Sequence, residues 1–336
     1  TPVTPGTLSV EQYSQTKRPD VLVMGSVDQE LASFKFIADA KEDINISQLI
    51  ISDRFTSMVS IKSLSLYDGA TKIAGPIQFI STPATHDADG GIYVHAVFSQ
   101  LGLVIPAGTP KILTVKGDVL SSANGAASGS THIIAILAKP GLTSGPGMTA
   151  AIQAQGISSK ANIVVSIPFN QYGSEMTVYR TKLTASWASD TPTGASSGSS
   201  AQTIAKINIT NAANAGSYSA TVSAMNFVIS STIVTAASTH ALTVYKDAVG
   251  GTALATTNYA ASQVFSGTSA LPAFTTATEI AAGATKLFIV TLNTSDAAST
   301  KNLSVYVDTT GITWTDGTTS NTNVKSLPLV PKTLTY

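Results

Sequence analysis

The chain has 336 residues, a length that allows two domains, and it contains no cysteine. The absence of cysteine excludes disulfides, thiolate metal sites and a thiol nucleophile. With 19 basic and 19 acidic residues the formal net charge is zero, and charged side chains make up only 11% of the chain, against about 25% in an average domain. A neutral surface offers no basic patch for nucleic acid, and it lacks the charge repulsion that keeps copies apart.

The ends and the hydropathy of the chain bear on its location. The sequence begins Thr1-Pro-Val-Thr-Pro-Gly6, without Met or an apolar signal core, which is typical of a processed mature end. No run of 18 apolar residues occurs, so we expect no transmembrane segment within these residues. Any membrane anchor would lie outside them.

The predicted strands follow an alternation of apolar and polar residues, with little helical periodicity. They cover residues 31–38, 44–51, 61–67, 92–98, 112–116 and 133–137 in the first half, and 204–210, 218–229, 241–245, 287–292 and 303–307 in the second. Turn signals such as Asp68-Gly69 and Asn124-Gly125 separate them. Short strands with turns at these intervals predict an all-β fold of antiparallel sandwiches.

Matching phrases recur between the two halves. Ile105-Pro-Ala-Gly108-Thr-Pro-Lys111 returns 175 residues later as Ile280-Ala-Ala-Gly283-Ala-Thr-Lys286. Leu8-Ser-Val10 matches Leu183-Thr-Ala185 at the same offset, and Leu64-Ser-Leu-Tyr67 matches Leu242-Thr-Val-Tyr245 at an offset of 178. The recurrence predicts a tandem duplication of one β-domain, so function is expected to lie in how the units stack and extend.

The repeat and the Pro/Gly-rich stretch at 139–147 suggest a division of the chain. We predict a first sandwich over residues 1–145, a connecting strand or linker over 146–175, a second sandwich over 176–320, and a C-terminal strand over 321–336. That last strand echoes the opening of the chain. It could start a further repeat, pair within its own domain, or be donated to another subunit.

The terminal segments are the candidates for strands between subunits, because their prolines stand only at their starts and leave the later residues able to pair. The candidate residues are Thr7, Leu8, Val10, Leu327, Leu329, Leu334 and Tyr336.

Candidates for metal or catalytic chemistry are sparse. Asp87 and Asp89 precede a glycine, as in the opening of a calcium loop, but the later acid is missing because position 98 is Phe. The same residues suit a plain turn, so Ca²⁺ is the one cofactor considered, and otherwise none is expected. The four histidines have no second ligand at metal spacing elsewhere, and no nucleophile-elbow pattern occurs. We do not expect an enzyme.

Four sequons are compatible with glycosylation in a secreted protein. They start at Asn45, Asn208, Asn293 and Asn302. Three of them lie in or beside predicted strands, and chance alone produces several in a chain rich in serine and threonine.

Three phrases resemble tandem immunoglobulin-like domains of large surface proteins from ultrasmall uncultivated bacteria and some other prokaryotes. They are Leu-Ser-Leu-Tyr-Asp-Gly (64–69), Ile-Pro-Ala-Gly-x-x-Lys-x-Leu-x-Val-Lys-Gly-Asp-Val (105–119) and Ser-Asp-Thr-Pro-Thr-Gly (189–194). The resemblance covers both halves and implies two Ig-like sandwiches in a secreted cell-surface protein, such as an S-layer-like coat, stalk or fibre. The second half departs from the pattern, with longer loops at 211–217 and 266–278.

The sequence therefore favours a structural subunit of an extracellular self-assembling polymer, a filament, a pilus-like fibre or an S-layer-like lattice. Its partners would be other copies of itself, together with the cell envelope or a host surface, and not nucleic acid. The alternative is an adhesin that recognises carbohydrate or host protein through loops 85–91 and 266–278.

Overall fold

A computed structural model describes residues 3–79, 84–85, 90–138, 151–213, 218–233, 240–259, 266–269 and 271–336. The chain divides into two compact units, Thr1–Tyr179 and Arg180–Tyr336. Among the described residues the only helical element is a 3₁₀ turn, Ser122–Asn124, and all other regular structure is β. The predicted all-β sandwich class is confirmed.

The described residues of the first unit form fourteen strands. They are β1 (Leu8–Gln12), β2 (Asp20–Val23), β3 (Gln29–Ala38), β4 (Ile44–Phe55), β5 (Ile61–Asp68), β6 (Thr71–Ile77), β7 (Ala84–Thr85), β8 (Ile92–Ile105), β9 (Lys111–Val119), β10 (Thr131–Ile136), β11 (Ile152–Gly156), β12 (Val165–Ser166), β13 (Gln171–Tyr172) and β14 (Met176–Tyr179). One sheet has the order β12-β1-β3-β9-β5-β6, and the other β2-β14-β10-β4-β8-β7, with β11 on β4 and β13 on β10.

A large apolar cluster lies between the two sheets of this unit. Phe34 and Phe36 enter it from β3, Ile51 from β4, Phe98 from β8 and Ile134 from β10, and all are at most 1% exposed. Alternate residues of each strand point to the same face, so the period-two sequence pattern builds this core directly. Burying each such side chain contributes about 1.5–3 kcal/mol.

In the second unit, the part of the chain that the structure describes forms fifteen strands. They are β15 (Leu183–Trp187), β16 (Gly194–Ala195), β17 (Gln202–Asn211), β18 (Ala220–Met225), β19 (Val228–Ser231), β20 (His240–Lys246), β21 (Ala253–Tyr259), β22 (Ser266–Thr268), β23 (Thr278–Ile280), β24 (Thr285–Leu292), β25 (Asn302–Tyr306), β26 (Ile312–Thr315), β27 (Ser320–Asn321), β28 (Val324–Lys325) and β29 (Lys332–Thr335). The sheet orders are β28-β15-β17-β24-β20-β21, β16-β29-β25-β19-β22 and β23-β18-β26-β27.

The six-stranded sheets of the two units have the same strand order, and the pairings from β12 to β9 and from β28 to β24 also have the same register. Leu8 of β1 pairs with Ala38 of β3, and Leu183 of β15 pairs with Asn211 of β17. In each unit a two-residue strand, β12 or β28, pairs parallel to the outer side of that first strand.

The turn before the central strand is also the same in both units. Gly108 and Gly283 have positive φ values of 65° and 74°, a conformation that glycine adopts without steric cost. Their amides donate to the carbonyls of Ala38 and Asn211, at 3.2 and 3.0 Å. The repeated Ala-Gly phrase therefore encodes one turn, built twice.

The C-terminal strand is the counterpart of β14 and not of β1. Strand β14 pairs antiparallel with β10 and parallel with β2, and β29 pairs antiparallel with β25 and parallel with β16. Of the three alternatives for residues 321–336, the structure has the strand paired within its own unit, and the other two stay predictions. The Leu-Thr echo reflects the alternation that any half-buried strand shows.

The segment predicted to be a connecting strand or linker, 146–175, contains three strands in its described part. Strands β11, β12 and β13 belong to the sheets of the first unit, and Ile152 and Ala154 of β11 are buried. Strands β12 and β13 have two residues each, too few for an alternation to mark a strand. The Pro/Gly-rich stretch 139–147 lies outside the described residues.

One predicted strand, 218–229, is two strands in the structure. It is interrupted at Asn226 and Phe227, where the chain leaves the sheet of β18 and enters the sheet of β19. The amide of Asn226 donates to the Gly311 carbonyl, and that of Phe227 to Ser269 Oγ. The periodicity continues across the break because Phe227 remains fully buried.

Candidate functional site

The predicted calcium residues, Asp87 and Asp89, lie outside the described residues. Within the part of the chain that the structure describes, no group of three or more histidine, cysteine, aspartate or glutamate side chains could hold a metal ion. The calcium interpretation therefore stays a prediction. The described residues also include no helix with the length and apolar character of a membrane span.

The N-terminal strand candidates are paired inside their own unit. Leu8 and Val10 are at most 2% exposed and belong to the apolar core, while Thr7 bonds through Oγ1 to Asp39 Oδ2 at 3.1 Å. Strand β1 has a neighbour on each side, β3 and β12. A role of these residues between subunits stays a prediction, and it would require β1 to leave this sheet.

The C-terminal candidates have a similar environment in the second unit. Leu334 and Leu329 are buried, at 1% and 7% exposure, and Leu327 is half-buried. Tyr336 donates its hydroxyl to Gln202 Oε1 at 2.9 Å, and burial raises the pKa of that phenol. These contacts account for the apolar character of the segment without a second copy.

The sequons differ in exposure. Asn45 and Asn208 are partly buried within β4 and β17, both of which have neighbours on each side. The side-chain oxygen of Asn293 accepts hydrogen bonds from Ser295. Of the four sequon asparagines only Asn302, at the start of β25, is exposed. Asn302 is therefore the most accessible of the four to glycosylation.

A hydrogen-bonded chain of serine, histidine and aspartate lies inside the first unit. Ser130 Oγ and His132 Nε2 are 3.1 Å apart, and His132 Nδ1 and Asp53 Oδ2 are 2.8 Å apart. Ser60 Oγ extends the chain to Ser130 at 2.8 Å. These are the atoms and distances of a serine nucleophile with its base and orienting carboxylate.

Burial decides what this chain of side chains can do. Ser130 and Asp53 are 0% exposed and His132 is 1% exposed, so a substrate carbonyl cannot reach Ser130 Oγ in this conformation. Burial raises the pKa of Asp53, and the contact with His132 acts in the opposite direction. In this conformation the three side chains form a buried polar network.

The second unit has apolar residues at the same positions. Leu303 stands opposite Leu334 of β29, as His132 stands opposite Met176 of β14. Asp53 pairs with Ile134, two residues after His132, and Ile229 pairs with Val305, two residues after Leu303. Ile229 therefore occupies the position of Asp53. Both Leu303 and Ile229 are buried. An apolar pair can therefore occupy these positions of the sandwich.

A buried carboxylate holds the entering chain of the first unit. Glu42 is 4% exposed and accepts bonds from the amides of Gly6, Ser158 and Ser159, at 2.9, 3.0 and 2.8 Å, and from Ser159 Oγ at 2.7 Å. The amides of Ser159 and Gly6 lower the pKa of Glu42 to about 2, because donors that stabilise the charged form favour ionisation.

The second unit makes the same arrangement with a different residue. Asp316 is 2% exposed and accepts the amide of Arg180 at 2.9 Å, the first residue of that unit. It also accepts the amides of Thr318 and Thr319 and the hydroxyl of Thr318. Sequence inspection gives no signal for either carboxylate. Most of the groups that donate hydrogen bonds to them are backbone amides, and the rest are Ser and Thr hydroxyls, which are common in any turn.

Aromatic residues form no exposed platform among the described side chains of the predicted binding loop. In loop 266–278 the aromatic Phe274 and the neighbouring apolar Leu271 are each 8% exposed and therefore pack inward. Trp314 is fully buried, and Trp187 Nε1 donates to the Val330 carbonyl at 2.8 Å. Loop 85–91 lies mostly outside the described residues.

Comparisons with known proteins add fold-level neighbours only. No family model matches the chain, and no curated protein matches it. Solved structures similar to it include the C-terminal domain of the AgI/II polypeptide BspA from Streptococcus agalactiae, at 8% identity and a TM-score of 0.22 over 99% of this chain and 100% of that one.

Two further structures are a major pilin subunit of Bacillus cereus and the adhesive subunit CfaE of an Escherichia coli fimbria. The pilin is 9% identical with a TM-score of 0.26, over 97% of this chain and 66% of that one. CfaE is 10% identical with a TM-score of 0.20, over 98% and 85%. Similarity at this level does not inform the function of the chain.

Proposed function

We propose that the chain is a structural subunit of an extracellular self-assembling polymer at the cell surface, a filament, a pilus-like fibre or an S-layer-like lattice. One observation carries the proposal: the two units repeat one sheet in strand order, and the Leu8–Ala38 pair of the first unit is equivalent in register to the Leu183–Asn211 pair of the second. A unit duplicated in tandem is the means by which repeat proteins extend a surface that copies can share.

The charge of the chain supports association between copies. Its 19 basic and 19 acidic residues give a net charge of zero, and a protein near zero net charge associates more readily than a charged one. The partner in this proposal is a second copy of the same chain. The alternative function is an adhesive module, which the absence of association between copies would favour.

The test is the assembly state of the purified protein, by negative-stain electron microscopy and mass spectrometry of the same sample. Filaments or sheets built from a chain of 34.4 kDa are the expected result. Dispersed monomers at every concentration would contradict the structural role and favour the adhesive one.

A further inference from the structure

The outermost strands of the two equivalent sheets differ in how they are protected. Strands β6 and β21 occupy the same place, the first beside β5 and the second beside β20. An outermost strand presents unpaired N–H and C=O groups, to which another chain can add a strand. Any difference between β6 and β21 is therefore a difference in their capacity to associate.

Strand β6 has the features that block strand addition. Lys72 is exposed on it, and Pro76 lies within it and has no N–H to donate. Its pairing with β5 is interrupted twice by register shifts, at Leu64–Leu66 and at Leu66–Tyr67. Charge, proline and irregular pairing are the ordinary devices that protect an edge.

Strand β21 has neither charge nor proline, and the one register shift in its pairing with β20, at Val244–Tyr245, lies at the start of the strand. Its sequence, Ala-Leu-Ala-Thr-Thr-Asn-Tyr over Ala253–Tyr259, also contains no glycine. The amide of Thr275 donates to the Leu254 carbonyl at 2.8 Å and so covers the start of the strand. Further along, Thr256 and Asn258 are exposed, and the described contacts of residues 256–258 are with β20.

We propose that β21 is an association edge, at which residues 256–258 pair antiparallel with the same residues of a second copy, so that Thr257 lies opposite its own counterpart. The proposal rests on the proposed function and names its contact. Two copies of the uncharged strand β21 can pair without like-charge repulsion. A pair of β6 strands would place one Lys72 from each copy in the same interface. Pairing of identical strands about a two-fold axis gives a self-complementary contact.

The experiment compares two charge-matched variants of the full chain by sedimentation velocity over a concentration series. Thr256→Lys with Asn258→Lys places two charges on β21. Ala70→Lys with Thr71→Lys places two charges on exposed positions at the start of β6. We expect the first variant to associate at least about tenfold more weakly than wild type and the second to be unchanged. Fluorescence of buried Trp314, which lies in the second unit, verifies that the unit remains folded.

The outcomes separate this inference from the function on which it rests. If the β21 variant assembles as wild type does, the β21 contact is wrong and the structural role stands. If both variants weaken association equally, the effect is one of net charge and the β21 contact is again wrong. If wild type never associates, the structural role and the contact both fail.

Discussion

The carboxylate of Glu42 occupies the space that a side chain on Gly156 would need, since a Cβ built at Gly156 would overlap its Oε1. Gly156 pairs with Ile44, and the position of Ile44 corresponds in the second unit to Ala220. The residue in register with Ala220 there is Asp316, which follows the Thr221–Thr315 pair. One carboxylate site is thus filled from the loop after β3 in the first unit and from the end of β26 in the second.

The first prediction concerns acid stability. The pKa of Glu42 is about 2 in the folded chain, below its ordinary value of 4.5. A lowered pKa contributes stability that is present above pH 4.5 and is lost as pH falls toward 2. We expect Glu42→Gln to lower the Tm of the first unit at neutral pH, and the difference from wild type to vanish near pH 2.

Calorimetry across this pH range measures the effect, with the exposed Glu175→Gln as control. A difference between Glu42→Gln and wild type that stayed constant from pH 7 to pH 2 would show that the charge of Glu42 is not what stabilises the entering chain.

The second prediction transfers the arrangement of one unit into the other. Glu42→Ala leaves the amides of Gly6, Ser158 and Ser159 without their acceptor, and Gly156→Asp brings a second carboxylate against Glu42. We expect each single change to lower the Tm and the double variant to recover much of the loss, because the new aspartate accepts the same amides. Additive losses in a double-mutant cycle would contradict the equivalence of the two sites.

The third prediction concerns the buried pair. We expect His132→Leu or Asp53→Ile alone to destabilise the first unit by about 3–5 kcal/mol, because each leaves one buried polar partner uncompensated. The double variant reproduces the apolar pair of the second unit, Leu303 and Ile229, and should lie within about 1 kcal/mol of wild type. Guanidinium unfolding followed by circular dichroism measures all three, and a double variant as unstable as the singles would mean the network is required for folding.

The fourth prediction tests whether the C-terminal strand belongs to its own unit. Leu334→Ala should destabilise the second unit by about 2–5 kcal/mol, because Leu334 is 1% exposed. Both tryptophans, Trp187 and Trp314, lie in that unit, so their fluorescence reports its unfolding alone. Thr335→Ala, at an exposed position of the same strand, is the control. An unchanged fluorescence transition for Leu334→Ala would indicate that the strand does not close this unit.

Much of the fold follows from the sequence because alternation directly records which side chains face the core. The strands around Phe34, Ile46 and Ile289 were all predicted from that pattern, and the Ala-Gly phrase marked the turns at Gly108 and Gly283. Short strands such as β12 and β28 were missed because two residues carry no periodicity.

The polar sites were beyond sequence inspection for a different reason. Asp53 and His132 are 79 residues apart and meet only through the pairing of β4 with β10. Glu42 and Ser159 are 117 residues apart. At such sequence separations the residue types do not indicate how close two side chains lie in space. The protection of β6 by Lys72 and Pro76 could be recognised only once the pairing of the strands was known.

Disulfide trapping tests the association through β21 most directly, because the chain has no cysteine of its own. Single cysteines at Thr256, Thr257 or Asn258 would be oxidised mildly in the assembled protein, with Thr71→Cys on β6 as control. Paired strands bring opposite Cα atoms to about 4.5–5.5 Å, within the range of a disulfide. The account predicts a covalent dimer that peaks at one of the three β21 positions and is absent for β6. Assembly without a cross-link at any β21 position would contradict it.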